Sequence, residues 1–314
     1  MQKKAVVGID IGGTNTVFGI VDQQGNYFAE GKIKTRDYTN FVDFVDELSF
    51  QVKESIQKFD SYISVIGIGV GVPNGNYYNG TVEFAPNLPW KGVIKVTKEI
   101  KARIGLPVII TNDANAAALG EMIYGAAKKM KDFIVITLGT GLGSGIVVNG
   151  KMVYGHDGFA GEIGHTIIFP DGRPCGCGRN GCLETYCSAR GLTETYLQIL
   201  GKPSANIDVS SIDSKFTFDH AQQGEQAAIE AFNKTGDILG LALANTVAHT
   251  SPEAIFLFGG LANAGDLIFI PTRKSFEKNL LNIYKGKVKI LPSGLKEGNS
   301  AILGAASLIW NEHL

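Results

Sequence analysis

The sequence carries no charge excess. Its 29 Lys and Arg against 30 Asp and Glu leave a formal net charge of −1 over 314 residues. A large nucleic-acid footprint needs a basic surplus, so the bulk charge argues against one. Long apolar runs are also missing. The most hydrophobic stretches, near residues 63–72 and 238–247, are too short and too broken by glycine or polar residues to span a bilayer. The opening Met1-Gln2-Lys3-Lys4 leads into Ala5–Ile9, an apolar run too short for a secretory signal and stopped by Asp10. No low-complexity segment or heptad array occurs, and no G-x-x-x-x-G-K-[ST] is present, so a P-loop enzyme is excluded. These absences predict a soluble, cytoplasmic protein with no membrane or nucleic-acid partner. Cysteine is scarce and confined to Cys175, Cys177, Cys182 and Cys187. A disulfide framework ties distant parts of small secreted domains, whereas a tight cluster in a long intracellular chain reads as a metal site.

Glycine, at 40 residues, is the abundant type, and 44% hydrophobic residues provide for a packed core. The glycines gather around positions 8–13, 67–75, 139–145, 155–164, 176–181 and 259–260. Such groups permit close backbone approach to a ligand or turns with positive φ. Several phosphate- or sugar-contacting turns would explain the pattern; so would a β-rich protein with many tight turns.

Periodicity predicts strands over Ala5–Asp10, Val17–Val21 and Tyr27–Lys34, with Gln24-Gly25-Asn26 as a hairpin turn. A helix over Phe41–Phe59 follows, with Phe44, Val45, Leu48, Val52 and Ile56 at helical spacing. Then come a strand over Val65–Val72, a helix over Val93–Ile104, a strand over Pro107–Thr111 and an Ala-rich helix over Ala114–Tyr124. The pattern restarts with a strand over Phe133–Leu138, a glycine turn over Gly139–Gly145 and a strand over Ile146–Val148. Helices follow from Ala189, with long ones near Glu225–Thr250, then strands over Ala254–Phe258 and Val288–Leu291 and a closing helix over Ala301–Trp310. A strand–turn–strand unit used twice predicts two related lobes, with the boundary near residues 115–130.

Five segments carry chemistry. In Gly8-Ile9-Asp10-Ile11-Gly12-Gly13-Thr14-Asn15, a strand delivers Asp10 to its carboxyl end. Gly12 and Gly13 let amides face a phosphate, and Thr14 adds a hydroxyl. Asp10 can hold Mg²⁺ directly or through water. Leu138-Gly139-Thr140-Gly141-Leu142-Gly143-Ser144-Gly145 repeats that chemistry, and two such turns point to a nucleotide polyphosphate held between lobes. In Thr111-Asn112-Asp113-Ala114, Asp113 is suited to accept the proton of an attacking hydroxyl, although Asn and Asp here also read as a helix cap. Gly161-Glu162-Ile163-Gly164-His165, followed by C-x-C-x₄-C at Cys175, Cys177 and Cys182, gives a Cys₃His set of structural zinc composition. His165 alone also fits a satisfied core histidine, and Cys187 reads as a small apolar residue on a following helix. Finally, Phe256-Leu257-Phe258-Gly259-Gly260 runs a buried strand into a Gly-Gly turn that could cradle adenosine or be an ordinary strand-to-helix turn. The lone G-x-G-x-x-G, Gly176–Gly181, overlaps the cysteines and follows no strand, which discounts a dinucleotide fold.

In this order and over nearly the whole chain, these segments resemble the ROK family of bacterial sugar kinases and related repressors, within the hexokinase–actin-like ATPase superfamily. The sequence is most similar to the glucokinases of that family. The Glu-Ile-Gly-His element with its C-x-C-x₄-C cluster is the most specific part.

The resemblance implies a two-lobed α/β fold of the actin-like, hexokinase type, with ribonuclease H-like lobes and a structural zinc knot. The smaller lobe would comprise residues 1–120 plus about 300–314, the larger 121–299. Asp10, Gly12, Gly13 and Thr14 match the first phosphate motif, and Gly139, Thr140, Gly141 and Gly143 the second. Gly259 and Gly260 match the adenosine motif, and Asp113 the catalytic base. Asn87, Asn112, Asp113, Glu162, His165 and Glu184 match sugar-hydroxyl ligands. His165, Cys175, Cys177 and Cys182 match the zinc site, with the second ring nitrogen of His165 left for the sugar.

Two positions depart from the pattern. Asn15 stands where many members have Lys, so a cation is missing there, and Asn74 stands where Gly is frequent. The expected reaction is phosphorylation of a hexose 6-hydroxyl by ATP with Mg²⁺, glucose before N-acetylglucosamine, N-acetylmannosamine, mannose or fructose. Lobe closure would exclude water, and the protein would be a homodimer. The family's repressors carry a helix-turn-helix ahead of this fold; the first strand begins here by Ala5, which disfavours that reading.

Overall fold

The computed structural model describes residues 2–201, 212–295 and 300–313. It divides into two units: Met1–Met130, Lys151–Gly161 and Ser293–Leu314 form one, Lys131–Gly150 and Glu162–Pro292 the other. The boundary expected near residue 120 falls inside a helix, α3 (Asp113–Ile123), which belongs to the first unit along its whole length. The second expected boundary, at 299, lies outside the described residues.

In the first unit, β1 (Lys3–Ile11), β2 (Thr16–Asp22), β3 (Tyr27–Ile33), β4 (Ile63–Gly71) and β8 (Val108–Thr111) form a sheet of order β3-β2-β1-β4-β8. β1 and β2 are an antiparallel hairpin, as are β2 and β3, while β1 pairs with β4 and β4 with β8 in parallel. Alternation along β1 sorts its side chains to two faces. Ala5, Val7, Ile9 and Ile11 join Phe44, Val45, Leu48 and Val52 of α1 (Phe41–Gln57) and Val96 and Ile100 of α2 (Val96–Ile104) in one core. Val6 faces the other way, against Ile302, Ala306, Ile309 and Trp310 of α9 (Ser300–Glu312). That helix lies so close that a Cβ on Gly8 would come 2.1 Å from the Ile302 carbonyl, and one on Gly69 1.8 Å from that of Ala305. These glycines therefore serve helix-on-sheet packing rather than a ligand turn.

A three-stranded antiparallel sheet, β5 (Gly75–Asn76), β6 (Thr81–Glu83) and β7 (Val93–Ile94), sits between β4 and α2 in the chain. The predicted helix over Val93–Ile104 thus begins only at Val96, because its first two residues pair with β6. The excursion of the first unit at 151–161 opens with the two-residue strand β11 (Lys151–Met152).

The second unit repeats the pattern. β9 (Phe133–Leu138) and β10 (Leu142–Val148) are an antiparallel hairpin, and β9 pairs in parallel with β12 (Ala254–Phe258), which pairs in parallel with β13 (Lys289–Pro292). The order β10-β9-β12-β13 matches β2-β1-β4-β8 of the first unit strand for strand. Ile134, Ile136, Ile255 and Leu257 pack into one core with α5 (Ala189–Leu200), α6 (Ser214–Gln222), α7 (Gln226–Thr250) and α8 (Asp266–Asn279). Cys187, last residue of α4 (Glu184–Cys187), is buried in that core as a small apolar side chain.

Glu121 of α3 is fully buried and ties its helix to two other segments. One carboxylate oxygen accepts from the Gly294 amide (2.9 Å), the Leu295 amide (3.3 Å) and the Ser293 hydroxyl; the other accepts from the Ala126 amide (2.8 Å). Truncation orphans these donors. We expect Glu121→Ala to lower the stability of the protein by about 3 kcal/mol, read from the midpoint of urea denaturation; an unchanged midpoint would refute the tie.

Candidate active site

Parallel pairing brings strand ends to one level. Asp10 on β1 pairs with Gly71 on β4, and Gly71 with Thr111 on β8. Asp113 follows two residues after Thr111, at the start of α3, so both carboxylates stand at the carboxyl edge of the sheet, where open α/β proteins bind ligands. A Cβ on Gly71 would lie 3.5 Å from Asp10 Oδ1 and 3.9 Å from the Asp113 Cα, so the glycine separates them.

Asn112 resolves the two readings of the next segment. It is the helix cap, its Oδ1 accepting from the Asn115 amide at 2.7 Å. Asp113 is thereby released from capping; its carboxylate accepts from the adjacent Ala114 amide, to Oδ1 at 2.9 Å, and from its own backbone amide. Asp113 keeps solvent access, yet desolvation by the surrounding protein raises its pKa against the pull of those two amides. Asp10 is pushed up to about 7, first by desolvation and then by the charge of Asp113.

The turn after β1 closes with the Gly12 amide donating to the Asn15 carbonyl at 3.0 Å. Gly13 abuts the Asn87 backbone, where a Cβ would sit 2.2 Å from the carbonyl oxygen. Ala85 and Leu88 are buried and anchor the segment that carries Asn87. Asn87 therefore stands beside the first glycine turn. Arg36, which no sequence motif singles out, donates to the Thr14 hydroxyl at 2.8 Å.

In the second unit the turn is tighter than predicted over Gly139–Gly145. β9 and β10 pair from Leu138↔Leu142 onward, so Gly143, Ser144 and Gly145 are strand residues and only Gly139, Thr140 and Gly141 make the bend. Glu184 reaches this bend. Its Oε2 accepts from the Leu142 amide at 2.9 Å, and a Cβ on Gly141 would lie 2.5 Å from the same oxygen. Gly259 and Gly260 follow β12, whose Phe258 pairs with Thr137. The Leu261 amide donates to the Leu138 carbonyl at 3.2 Å, which sets the Gly-Gly turn against the bend.

Glu162 precedes a single 3₁₀ turn, Ile163–His165, which the Ile163 amide ties to Ser144 Oγ at 3.2 Å. His165 Nδ1 is 3.7 Å from Cys175 Sγ, and Cys177 Sγ is 3.6 Å from Cys182 Sγ. The ligand atoms of His165, Cys175, Cys177 and Cys182 all lie within 4.8 Å of one another. Against the desolvation of its site, hydrogen bonds from Arg179 bring the Cys177 thiol down to about 6. Glu184 Oε1 is 4.0 Å from Cys175 Sγ, so its carboxylate bridges the distance between the cysteine cluster and the glycine bend.

Each unit thus gathers its own set: Asp10, Gly12, Gly13, Thr14, Asn87, Asn112 and Asp113 in the first; Gly139, Thr140, Gly141, Glu162, His165, Glu184, Gly259, Gly260 and the cysteines in the second. Among the described residues, no helix is long and apolar enough to cross a membrane.

Glycine turns at the carboxyl ends of parallel strands, in two units of matching topology, with a Cys₃His cluster in one, define an α/β protein of the sugar-kinase type. The ROK family model matches residues 6–312, and the chain belongs to that family. It is 34% identical to the glucokinase of Streptomyces coelicolor, with 96% of each chain covered. Identity to the glucokinase of Thermotoga maritima is 33%, with 98% of each covered. The fold is similar to the crystal structure of a ROK family glucokinase from Streptomyces griseus in complex with glucose and AMPPNP, at a TM-score of 0.80 and 33% identity, covering 97% of this chain and 98% of that one.

The raised pKa of Asp10 has a measurable consequence. Between the unfolded carboxyl value of about 4 and about 7, the folded protein holds a proton that the unfolded chain has lost, so ionising Asp10 costs stability as pH rises through this window. Asp10→Asn is therefore expected to melt several degrees above the parent at pH 8 and level with it at pH 4. A variant that melts lower at pH 8 would contradict the desolvated carboxylate.

Proposed function

We propose that the protein is an ATP-dependent glucokinase, converting D-glucose to glucose 6-phosphate. Full-length similarity to glucokinases supports the substrate pair. The observation that carries the mechanism is Asp113, a carboxylate with solvent access that capping does not consume and whose pKa is raised. The glucose 6-oxygen forms the new bond to the γ-phosphorus as the bond to the β–γ bridging oxygen breaks. ADP leaves, and the 6-OH proton passes to Asp113. Such transfer rests mainly on positioning and charge stabilisation, with one carboxylate guiding the nucleophile.

The remaining residues position the reactants. Gly12, Gly13 and Thr14 of the first unit and Gly139, Thr140, Gly141 and Gly143 of the second bind the polyphosphate; Gly259 and Gly260 lie against adenosine. Asn87, Asn112, Glu162, His165 and Glu184 bind sugar hydroxyls. The Asn112 Oδ1 is committed to the cap, so its amide nitrogen is the group offered to the sugar. Asp10, an oxygen donor with no basic partner among the described residues, fits Mg²⁺, which would neutralise phosphate charge there.

The Cys₃His set fits zinc: tetrahedral Zn–S bonds of about 2.3 Å imply sulfur atoms about 3.8 Å apart, close to the 3.6 Å between Cys177 and Cys182. His165 faces the thiols through Nδ1, leaving Nε2 for a sugar hydroxyl, so the knot would fix both the tautomer and the ring. The fold belongs in this reading to the two-lobed actin-like, hexokinase type, and the protein to the homodimers of its family.

Asp113→Asn tests the base. We expect turnover to fall by at least about 1000-fold while glucose affinity, measured by calorimetry, changes little; full activity would sink the assignment. Metal analysis should find one zinc per chain, lost in Cys177→Ser; an apo protein with the same melting curve would count against the knot.

A further inference from the structure

We propose that Arg36 is a phosphate-binding residue, the cation that the first glycine turn lacks within its own sequence. The inference rests on the kinase reading above and adds to it a residue outside the family motifs. The turn Gly12-Gly13-Thr14-Asn15 contains no basic side chain. Its amides and the Thr14 hydroxyl offer only neutral donors to a polyphosphate, while Asp10 at its base is an acid. A polyanion held there needs positive charge within hydrogen-bond range.

Arg36 supplies it. Its Nη2 donates to Thr14 Oγ1 at 2.8 Å, with both side chains exposed. That bond uses one of five guanidinium donors. Among the described residues, Arg36 has no carboxylate partner and no other hydrogen bond from its side chain. A surface arginine paired only with a hydroxyl gains little for stability, so the fold does not explain its placement.

Its mount is rigid. Arg36 is the middle residue of a 3₁₀ turn, Thr35–Asp37. The preceding Thr35 is fully buried and its hydroxyl is 2.8 Å from that of Thr16, the first residue of β2 and also fully buried. Thr16 follows Asn15 directly, so one buried hydroxyl pair fixes the arginine-bearing turn to the end of the phosphate turn. On the other side, Trp90 Nε1 donates to the Tyr38 carbonyl at 3.1 Å. A long cationic side chain on a base that cannot slide, aimed at the hydroxyl of a phosphate turn, loses little further freedom when a phosphate arrives. Thr14 would hold the guanidinium in place when the site is empty and share the phosphate oxygens with it when filled.

The test compares Arg36→Ala, the double variant Arg36→Ala with Asn15→Lys, and Lys34→Ala, which removes a neighbouring exposed cation. Steady-state constants for ATP and glucose, melting temperature, and calorimetric affinity for Mg²⁺–AMPPNP are measured on each. We expect Arg36→Ala to lower kcat/KM for ATP roughly 100-fold and to weaken AMPPNP binding, with the glucose KM and melting temperature at parent values. The double variant, with its new cation inside the turn, should recover part of the loss, and Lys34→Ala should match the parent. Unchanged AMPPNP affinity in Arg36→Ala would overturn the proposal, as would equal losses for ATP and glucose accompanied by a lower melting temperature. A parent protein that binds AMPPNP but does not phosphorylate glucose would defeat the kinase reading alone, because the affinity comparison still decides the role of Arg36.

Discussion

Parallel register governs where the candidate site residues at the strand ends of the two sheets come to stand. Because Asp10, Gly71 and Thr111 are partners across β1, β4 and β8, the three strands end at one level, and whatever follows them in sequence shares one edge. The same holds for β9 and β12, where Thr137 and Phe258 are partners and the Gly139–Gly141 bend meets the Gly259-Gly260 turn. A slip of one residue would reverse the face of every side chain on a strand. In β1 it would send Ile9 and Ile11 out of the core they share with α1 and turn Asp10 into it. The hydrophobic alternation that stabilises the sheets is therefore also what holds the functional residues in line.

Within that frame, individual side chains do two jobs. Asn112 caps α3 and so leaves the Asp113 carboxylate out of the cap. Glu184 accepts from the Leu142 amide and lies near Cys175, joining the glycine bend to the Cys₃His cluster through one carboxylate. Thr35 and Thr16 form a buried hydroxyl pair that places Arg36 at the Gly12–Thr14 turn. In each case a capping or buried polar contact, which a stability argument alone would accept, also fixes the direction of a neighbouring group.

Much of this was legible in the sequence. Repetition of strand, glycine turn and strand announced the two matching sheets, and the C-x-C-x₄-C spacing with the upstream His165 announced the cluster that the fold assembles. What escaped has physical reasons. The bend at 139 is shorter than its run of glycines suggests because glycine marks both turns and strands that approach another backbone; pairing of Gly143 and Gly145 with β9 is a tertiary fact. Glycine clustering alone leaves ligand turns and tight packing equally open at Gly8 and Gly69, and only the folded chain shows that they accommodate α9, a helix at the far end of the chain. The strands β5 to β7 are two or three residues long, below the length at which alternation can be seen. Arg36 lies outside every motif, and only the folded hairpin brings it to Thr14.

Transfer of phosphate from ATP to the 6-oxygen of glucose is best read from its products. Purified protein incubated with Mg²⁺–ATP and glucose, followed by ³¹P NMR, should show glucose 6-phosphate and ADP appearing in equal amounts, and faster than any phosphorylated product from N-acetylglucosamine, N-acetylmannosamine, mannose or fructose. Free inorganic phosphate without a sugar ester, or a preferred product from one of the other sugars, would contradict it.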